Sequence, residues 1–324
     1  MKEPAAAVRR PRPWRRWVWP AFGIAFLALI GALVADYVRE IDWGEVGRSV
    51  AAYPARTLGA AAGLVLLSHL TYACYDLIGR DYARHELPAS RVLSVAFISY
   101  AFNLNLGSLI GAVGFRLRLY HRLGLGAAQI GRIIAISFVT NWSGWLLLAG
   151  SAFAAGIVSL PAWSPVGAAM LQALGAALIA CPVAYVVLCF ASRRRIGHWR
   201  GQAFRLPTGL MALAQVGISS VNWMLIGAIL WVLMPQGLGY ARVLATHLSA
   251  AVIAVTTHIP GGLGVVETVF VAVLGDGVPH SGLIAALLAY RALYYLVPLA
   301  VAAAFHFGLE AMLASGARRA RLSA

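Results

Sequence analysis

Apolar residues fall along the chain in eight long blocks separated by short polar links. The blocks are Val18–Tyr37, Leu58–Gly79, Val92–Val113, Ile130–Val158, Val166–Ala191, Thr208–Met234, Val243–Leu274 and Gly282–Phe307. Each is near or above the ~20 residues that a helix needs to cross a ~30 Å hydrocarbon core. Two blocks are interrupted. The third breaks at Asn103-Leu104-Asn105-Leu106-Gly107, with Gly111 and Gly114 following, and the seventh at His258-Ile259-Pro260-Gly261-Gly262-Leu263-Gly264. Proline removes a backbone donor and glycine weakens a helix, so both stretches predict helix breaks.

Charge decides what the broken blocks do. Most of the 26 basic residues lie in five clusters, at 1–17, 80–91, 116–132, 193–205 and 318–321. If all eight blocks cross, the arginines of 116–132 and 193–205 fall outside while the uncharged link Ser159–Pro165 falls inside, which inverts the positive-inside rule. Letting the third and seventh blocks enter and return on one side removes the conflict and puts both termini in the cytoplasm. The expected fold is therefore all-α: about six full transmembrane helices plus two oppositely oriented re-entrant hairpins, at about 92–118 and 243–275. The alternative is a kinked full span at each break. With hairpins, each half reads as two spans, a hairpin and a span, the pattern of an inverted-topology repeat whose broken helices meet near the midplane. A single membrane domain, 18–307, is expected between a basic arm, 1–17, and a basic tail, 308–324. The first block reads as a retained helix rather than a cleaved signal. The link Arg39–Arg56, with Glu40, Asp42, Trp43 and Glu45, predicts a short interfacial helix.

Composition agrees: 61% of residues are hydrophobic and 11% charged, against about 25% charged in soluble proteins. The net charge of +15 does not indicate nucleic acid, because the basic clusters lie between apolar blocks, where they orient helices and meet anionic lipid. Cys74, Cys181 and Cys189 lack metal spacing and read as packing residues. Neither GxSxG, HExxH, a phosphate-binding loop nor a dinucleotide fingerprint occurs, so an enzyme, a metal site or a cofactor is not expected.

An ionisable group inside a bilayer is expensive and faces a cavity or a partner. Glu267 follows the second break and Arg291 lies deep in the last block, which makes the two obvious partners. They form either a structural pair or a switchable charge in a transport path, with Glu267 as a proton site. Arg116 and Arg118 follow the first break; they are positive-inside anchors or a fork for a lipid phosphate. Asn103 and Asn105 either satisfy freed backbone groups or meet a head group. His258 adjoins the second break, His69 and His306 read as packing residues, and Asp76 is expected to pair with Arg80.

Three stretches resemble one family: Gly111-Ala-Val-Gly-Phe-Arg-Leu-Arg-Leu-Tyr120, Pro260-Gly-Gly-Leu-Gly-Val-Val-Glu267 and Tyr290-Arg-Ala-Leu-Tyr-Tyr-Leu-Val-Pro298. The chain is similar over essentially its whole length to the lysylphosphatidylglycerol synthase transmembrane-domain family, which includes YbhN-like stand-alone inner-membrane proteins. The resemblance implies lipid translocation in the bacterial inner membrane, without an attached transferase domain. It also marks Arg116, Arg118, Pro260, Gly261, Gly262, Glu267, Tyr290 and Arg291 as functional candidates. The partners it implies are phospholipid head groups; the other reading is a non-catalytic partner of a lipid-synthesising enzyme.

Overall fold

The computed structural model describes residues 43–158, 167–192, 196–199, 202–257, 260–275 and 278–306. The arm, the first apolar block, the tail and His258 lie outside the described residues. The helices are α1 (Trp43–Ala51), α2 (Ala55–Ala83), α3 (Ala89–Leu106), a π-helical segment (Ser108–Phe115) running into α4 (Arg116–Arg122), α5 (Ala127–Ala154), α6 (Ala168–Ala191), α7 (Gly209–Leu233), α8 (Tyr240–Thr257), α9 (Val265–Leu274) and α10 (His280–Arg291). The last continues through a π-helical turn, Ala292–Leu296, to His306. Helix α1 occupies the predicted external link, and behind it Tyr53 donates to the carbonyl of Leu233 at 2.6 Å.

Among the described residues, six helices are long and apolar enough to cross a membrane: α2, α5, α6, α7, α8 and His280–His306. This is a multi-pass helical membrane protein. Five of the six are spans that the sequence predicts. The sixth, α8, belongs to the predicted second hairpin; its 18 residues meet the length and hydropathy of a span, whereas the 10-residue α9 is too short. One short departure from an all-helical chain occurs in the arginine-rich link, where β1 (Ile196–Trp199) pairs antiparallel with β2 (Gln202–Arg205).

Local chemistry sets the helix ends. Pro54, Pro88 and Pro279 immediately precede α2, α3 and α10, because a residue with fixed φ and no N–H starts a helix more readily than it continues one. Thr208 caps α7, its hydroxyl accepting from the Met211 N–H at 3.1 Å.

Helices α2, α5 and α7 pack on one another at the centre, with α3 against α2 and α6 against α5. Lipid gives no hydrophobic push between helices, so close approach and polar contacts hold such bundles. Gly144 on α5 rests on the backbone of Ser219 and Ser220 on α7, and Gly150 meets Gly175 where α5 crosses α6. Gln215, fully buried on α7, accepts from the Tyr185 hydroxyl of α6 at 2.7 Å and donates to Thr140 of α5 at 2.9 Å. Outward positions such as Leu66, Phe138, Leu174, Val187 and Leu210 are exposed, as a surface in contact with acyl chains requires.

Candidate functional site

Both predicted breaks are present, and at each the chain folds back. Helix α3 ends at Gly107, whose φ of 83° is open chiefly to glycine. The π-helical segment then returns along α3. Phe102 and Phe115 stack at 4.1 Å between centroids, and Gly111 presses against the backbone of Phe102 and Asn103, leaving no room for a Cβ. Gly111→Ala will therefore force the two arms apart. We expect a loss of about 1–3 kcal/mol, as for other overpacked cores, read as a lower midpoint of thermal unfolding in detergent. A midpoint equal to wild type would refute this close approach.

The second break is the turn Pro260–Gly262, after which Gly264 leads into α9. Gly261, Gly262 and Gly264 have φ of 61°, 59° and 76°. Three left-handed residues within five positions explain why the stretch is glycine-rich. Gly262 lies over Ala254 of α8, and α9 packs back against α8. Helix α3 contacts the Pro260–Gly262 turn, so the two broken segments meet.

Each returning arm is tied down by an arginine–carboxylate pair. Arg116, 1% exposed, meets Asp76 of α2, which is fully buried. Its Nε lies 3.0 Å from Asp76 Oδ2 and its Nη2 2.9 Å from Oδ1. Nη2 also donates to Ser137 of α5 at 3.2 Å and Nη1 to the Ala112 carbonyl at 3.1 Å. The Tyr120 hydroxyl completes the carboxylate at 2.9 Å. The expected Asp76–Arg80 pair is thus replaced by Asp76–Arg116. Helix proximity favoured Arg80, but the return of the first hairpin brings the planar guanidinium of Arg116 onto the carboxylate, where bidentate geometry is available. The fork of Arg116 faces this partner. Arg118, two residues on, is buried. Just outside the spans, burial and then the charge of Arg80 hold the His85 imidazole below its usual pKa.

At the second hairpin Glu267 and Arg291 are paired. Arg291 Nε reaches Glu267 Oε1 at 2.6 Å, and Nη2 reaches Oε2 at 3.1 Å. The same guanidinium donates to the Gly261 carbonyl at 3.0 Å and the Gly262 carbonyl at 3.0 Å, with the Tyr295 ring 5.6 Å from its carbon. One planar group therefore holds the turn and the start of α9 together. This brings the Pro260–Glu267 and Tyr290–Pro298 stretches together in the fold. Both arginines adjoin π-helical turns, a feature common at functional positions.

Between the pairs lies a hydroxyl-rich core that the sequence did not reveal. Ser68 donates to Asn222 at 2.8 Å and bonds the Tyr294 hydroxyl at 2.9 Å, which in turn bonds Tyr100 at 2.7 Å. Tyr72 stacks on Tyr100 at 3.5 Å, and Tyr290 on Tyr294 at 5.3 Å. Asn105 donates to the Ala101 carbonyl at 2.8 Å and to the Tyr295 carbonyl at 3.3 Å, so it satisfies backbone at the break as one sequence reading expected. Asn103 remains half-buried beside Gly107, whose N–H bonds its carbonyl. The signal available in the sequence was the run of hydroxyl residues within apolar spans, each unremarkable singly.

Two broken-helix hairpins in contact within a many-helix bundle, each held by an arginine–carboxylate pair, define a polytopic membrane protein with a polar interior. The sequence matches the family described as the lysylphosphatidylglycerol synthase TM region over residues 20–302, and the chain belongs to that family. It is 44% identical over 286 residues to inner membrane protein YbhN of Escherichia coli K12, covering 88% of this chain and 90% of that protein. It is 30% identical over 279 residues to the uncharacterized protein slr0712 of Synechocystis, covering 85% of each. A phosphatidylglycerol lysyltransferase of Staphylococcus haemolyticus is 25% identical over 264 residues; these cover 77% of this chain but 29% of that enzyme.

Proposed function

We propose that this protein moves a membrane lipid between leaflets of the bacterial inner membrane, with the head group passing where the two hairpins meet. The observation that carries this reading is the contact between α3 and the Pro260–Gly262 turn, with α3 also contributing Tyr100 to a buried row of hydroxyl groups. Broken helices meeting inside a bundle are how transporters build a site at the midplane. Kinship with a lysyltransferase of phosphatidylglycerol makes a phospholipid the natural cargo. In this reading the hairpins are re-entrant and open to opposite faces, and both termini are cytoplasmic. Arg116 acts as a positioning residue through Asp76, Arg118 anchors the cytoplasmic end, and Glu267 with Arg291 forms the movable contact of the second hairpin.

The test is lipid movement in vesicles containing the purified chain, with head-group-labelled phosphatidylglycerol and phosphatidylethanolamine and protein-free vesicles as control. Movement of either lipid above the control supports the proposal. Folded protein that moves neither would overturn it. The lysyltransferase kinship also favours a second reading, a membrane partner of a lipid-synthesising enzyme, which stable co-purification with such an enzyme would support.

A further inference from the structure

Two acceptor atoms at the junction have no hydrogen-bond partner among the described residues. Asn105 is fully buried. Its amide nitrogen serves two carbonyls, at Ala101 and Tyr295, which fixes the amide orientation and leaves Oδ1 without a donor. His69 is 2% exposed. Its Nδ1 lies 3.0 Å from the Val65 carbonyl; a carbonyl only accepts, so Nδ1 carries the proton. Nε2 is then an acceptor, and it too is unpartnered. Buried polar atoms are rarely left so.

The two atoms flank one seam. The His69 ring packs 5.2 Å from Tyr100 and 4.9 Å from Tyr294. Asn105 lies five residues beyond Tyr100 on α3, about 7.5 Å along its axis, and bonds the residue after Tyr294. Tyr100, Tyr294 and Ser68 are engaged with one another in a row that ends on Asn222, whereas the buried hydroxyls of Tyr75 and Ser99 are also without partners among the described residues. Arg116 and Arg291 face carboxylates. Of the unpartnered atoms along this seam, the hydroxyls can donate or accept, but Asn105 Oδ1 and His69 Nε2 can only accept.

We infer that Asn105 Oδ1 and His69 Nε2 are specificity-determining acceptors, and that they select lipids whose head groups carry N–H or O–H donors, a primary ammonium or a polyol, rather than recognising the phosphate. This rests on the translocation reading and deepens it. A head group that enters must replace bonds to water, and only a donor can satisfy these two atoms; sites built around a hydrogen bond discriminate strongly against analogues that lack it.

The experiment uses the full chain in nanodiscs and in vesicles. Phosphatidylethanolamine is compared with its mono-, di- and trimethylated forms, which keep the phosphate and positive charge while each methyl removes one donor. Lipid retention is read by native mass spectrometry and movement by the labelled-lipid assay. Retention should fall stepwise, by at least about tenfold over the series, the value of one hydrogen bond. In Asn105→Leu and His69→Phe the preference should shrink towards one. Asn105→Leu also removes the donors to Ala101 and Tyr295, so His69→Phe, which leaves those bonds in place, guards against a folding defect in the leucine variant. Equal retention across the series by wild-type protein would overturn the inference, as would phosphatidylmethanol, a phosphodiester without a donor, competing as well as phosphatidylethanolamine. Selective retention without movement would reject translocation and leave this selectivity standing. Movement without selectivity would do the reverse.

Discussion

Asp76→Asn will destabilise the protein by about 3–5 kcal/mol, the range found when one member of a buried ion pair is removed. The charge of Arg116 would remain at 1% exposure with nothing opposite it, and its Nε and Nη2 would lose their charge-assisted acceptors. Tyr120 and Ser137 are neutral and do not replace the carboxylate. The double substitution Asp76→Leu with Arg116→Met should recover most of the loss, because replacing both charges removes the desolvation cost along with the attraction. Thermal unfolding followed by tryptophan fluorescence in detergent measures both variants. If Asp76→Asn unfolded at the wild-type temperature, the pair would not be holding the first hairpin.

Glu267→Gln will have the opposite profile, with a small effect on stability and a large one on lipid movement. Glu267 is 22% exposed and Arg291 9%, so this pair is less enclosed than Asp76–Arg116, and losing its charge should cost less than the loss of a fully buried partner. Glutamine keeps the size and an acceptor oxygen, and Arg291 keeps the Gly261 and Gly262 carbonyls; the turn stays formed. What disappears is the charge that makes the contact between α9 and α10 strong and, in the proposed mechanism, reversible. Lipid movement should fall at least about tenfold, equivalent to about 1.4 kcal/mol, in vesicles holding equal amounts of folded protein. Unchanged movement would reduce this pair to a structural tie. Arg291→Lys should impair both properties, since an ammonium cannot reach two carbonyls and a carboxylate from one plane.

Much of this was legible in the sequence because the physics involved is local. Block length predicts a span from the thickness of hydrocarbon alone, and α2, α5, α6, α7 and His280–His306 follow it. The two breaks follow from residue chemistry: positive φ at Gly107, Gly261, Gly262 and Gly264 needs glycine whatever surrounds it. The Glu267–Arg291 pair followed from cost, since an arginine that deep demands a carboxylate and few stand within reach.

The tertiary structure decided the remainder. Asp76 had a neighbour one turn away in Arg80 and a partner 40 residues away in Arg116. Sequence distance favours the first, but only the return of the first hairpin sets the distance and angle that favour the second. The hydroxyl core is similar: Ser68, Tyr100, Asn222 and Tyr294 come from α2, α3, α7 and the last helix, and nothing in any one helix shows that the others face it. The unpartnered oxygen of Asn105 and nitrogen of His69 are visible only once the bonds of the folded chain are known. The sequence determined the spans, the breaks and the need for counter-charges, because these depend on solvent and backbone over a few residues. Which polar groups meet was left to packing, because hydrogen bonds and ion pairs act over a few ångströms and only the folded chain sets distances on that scale.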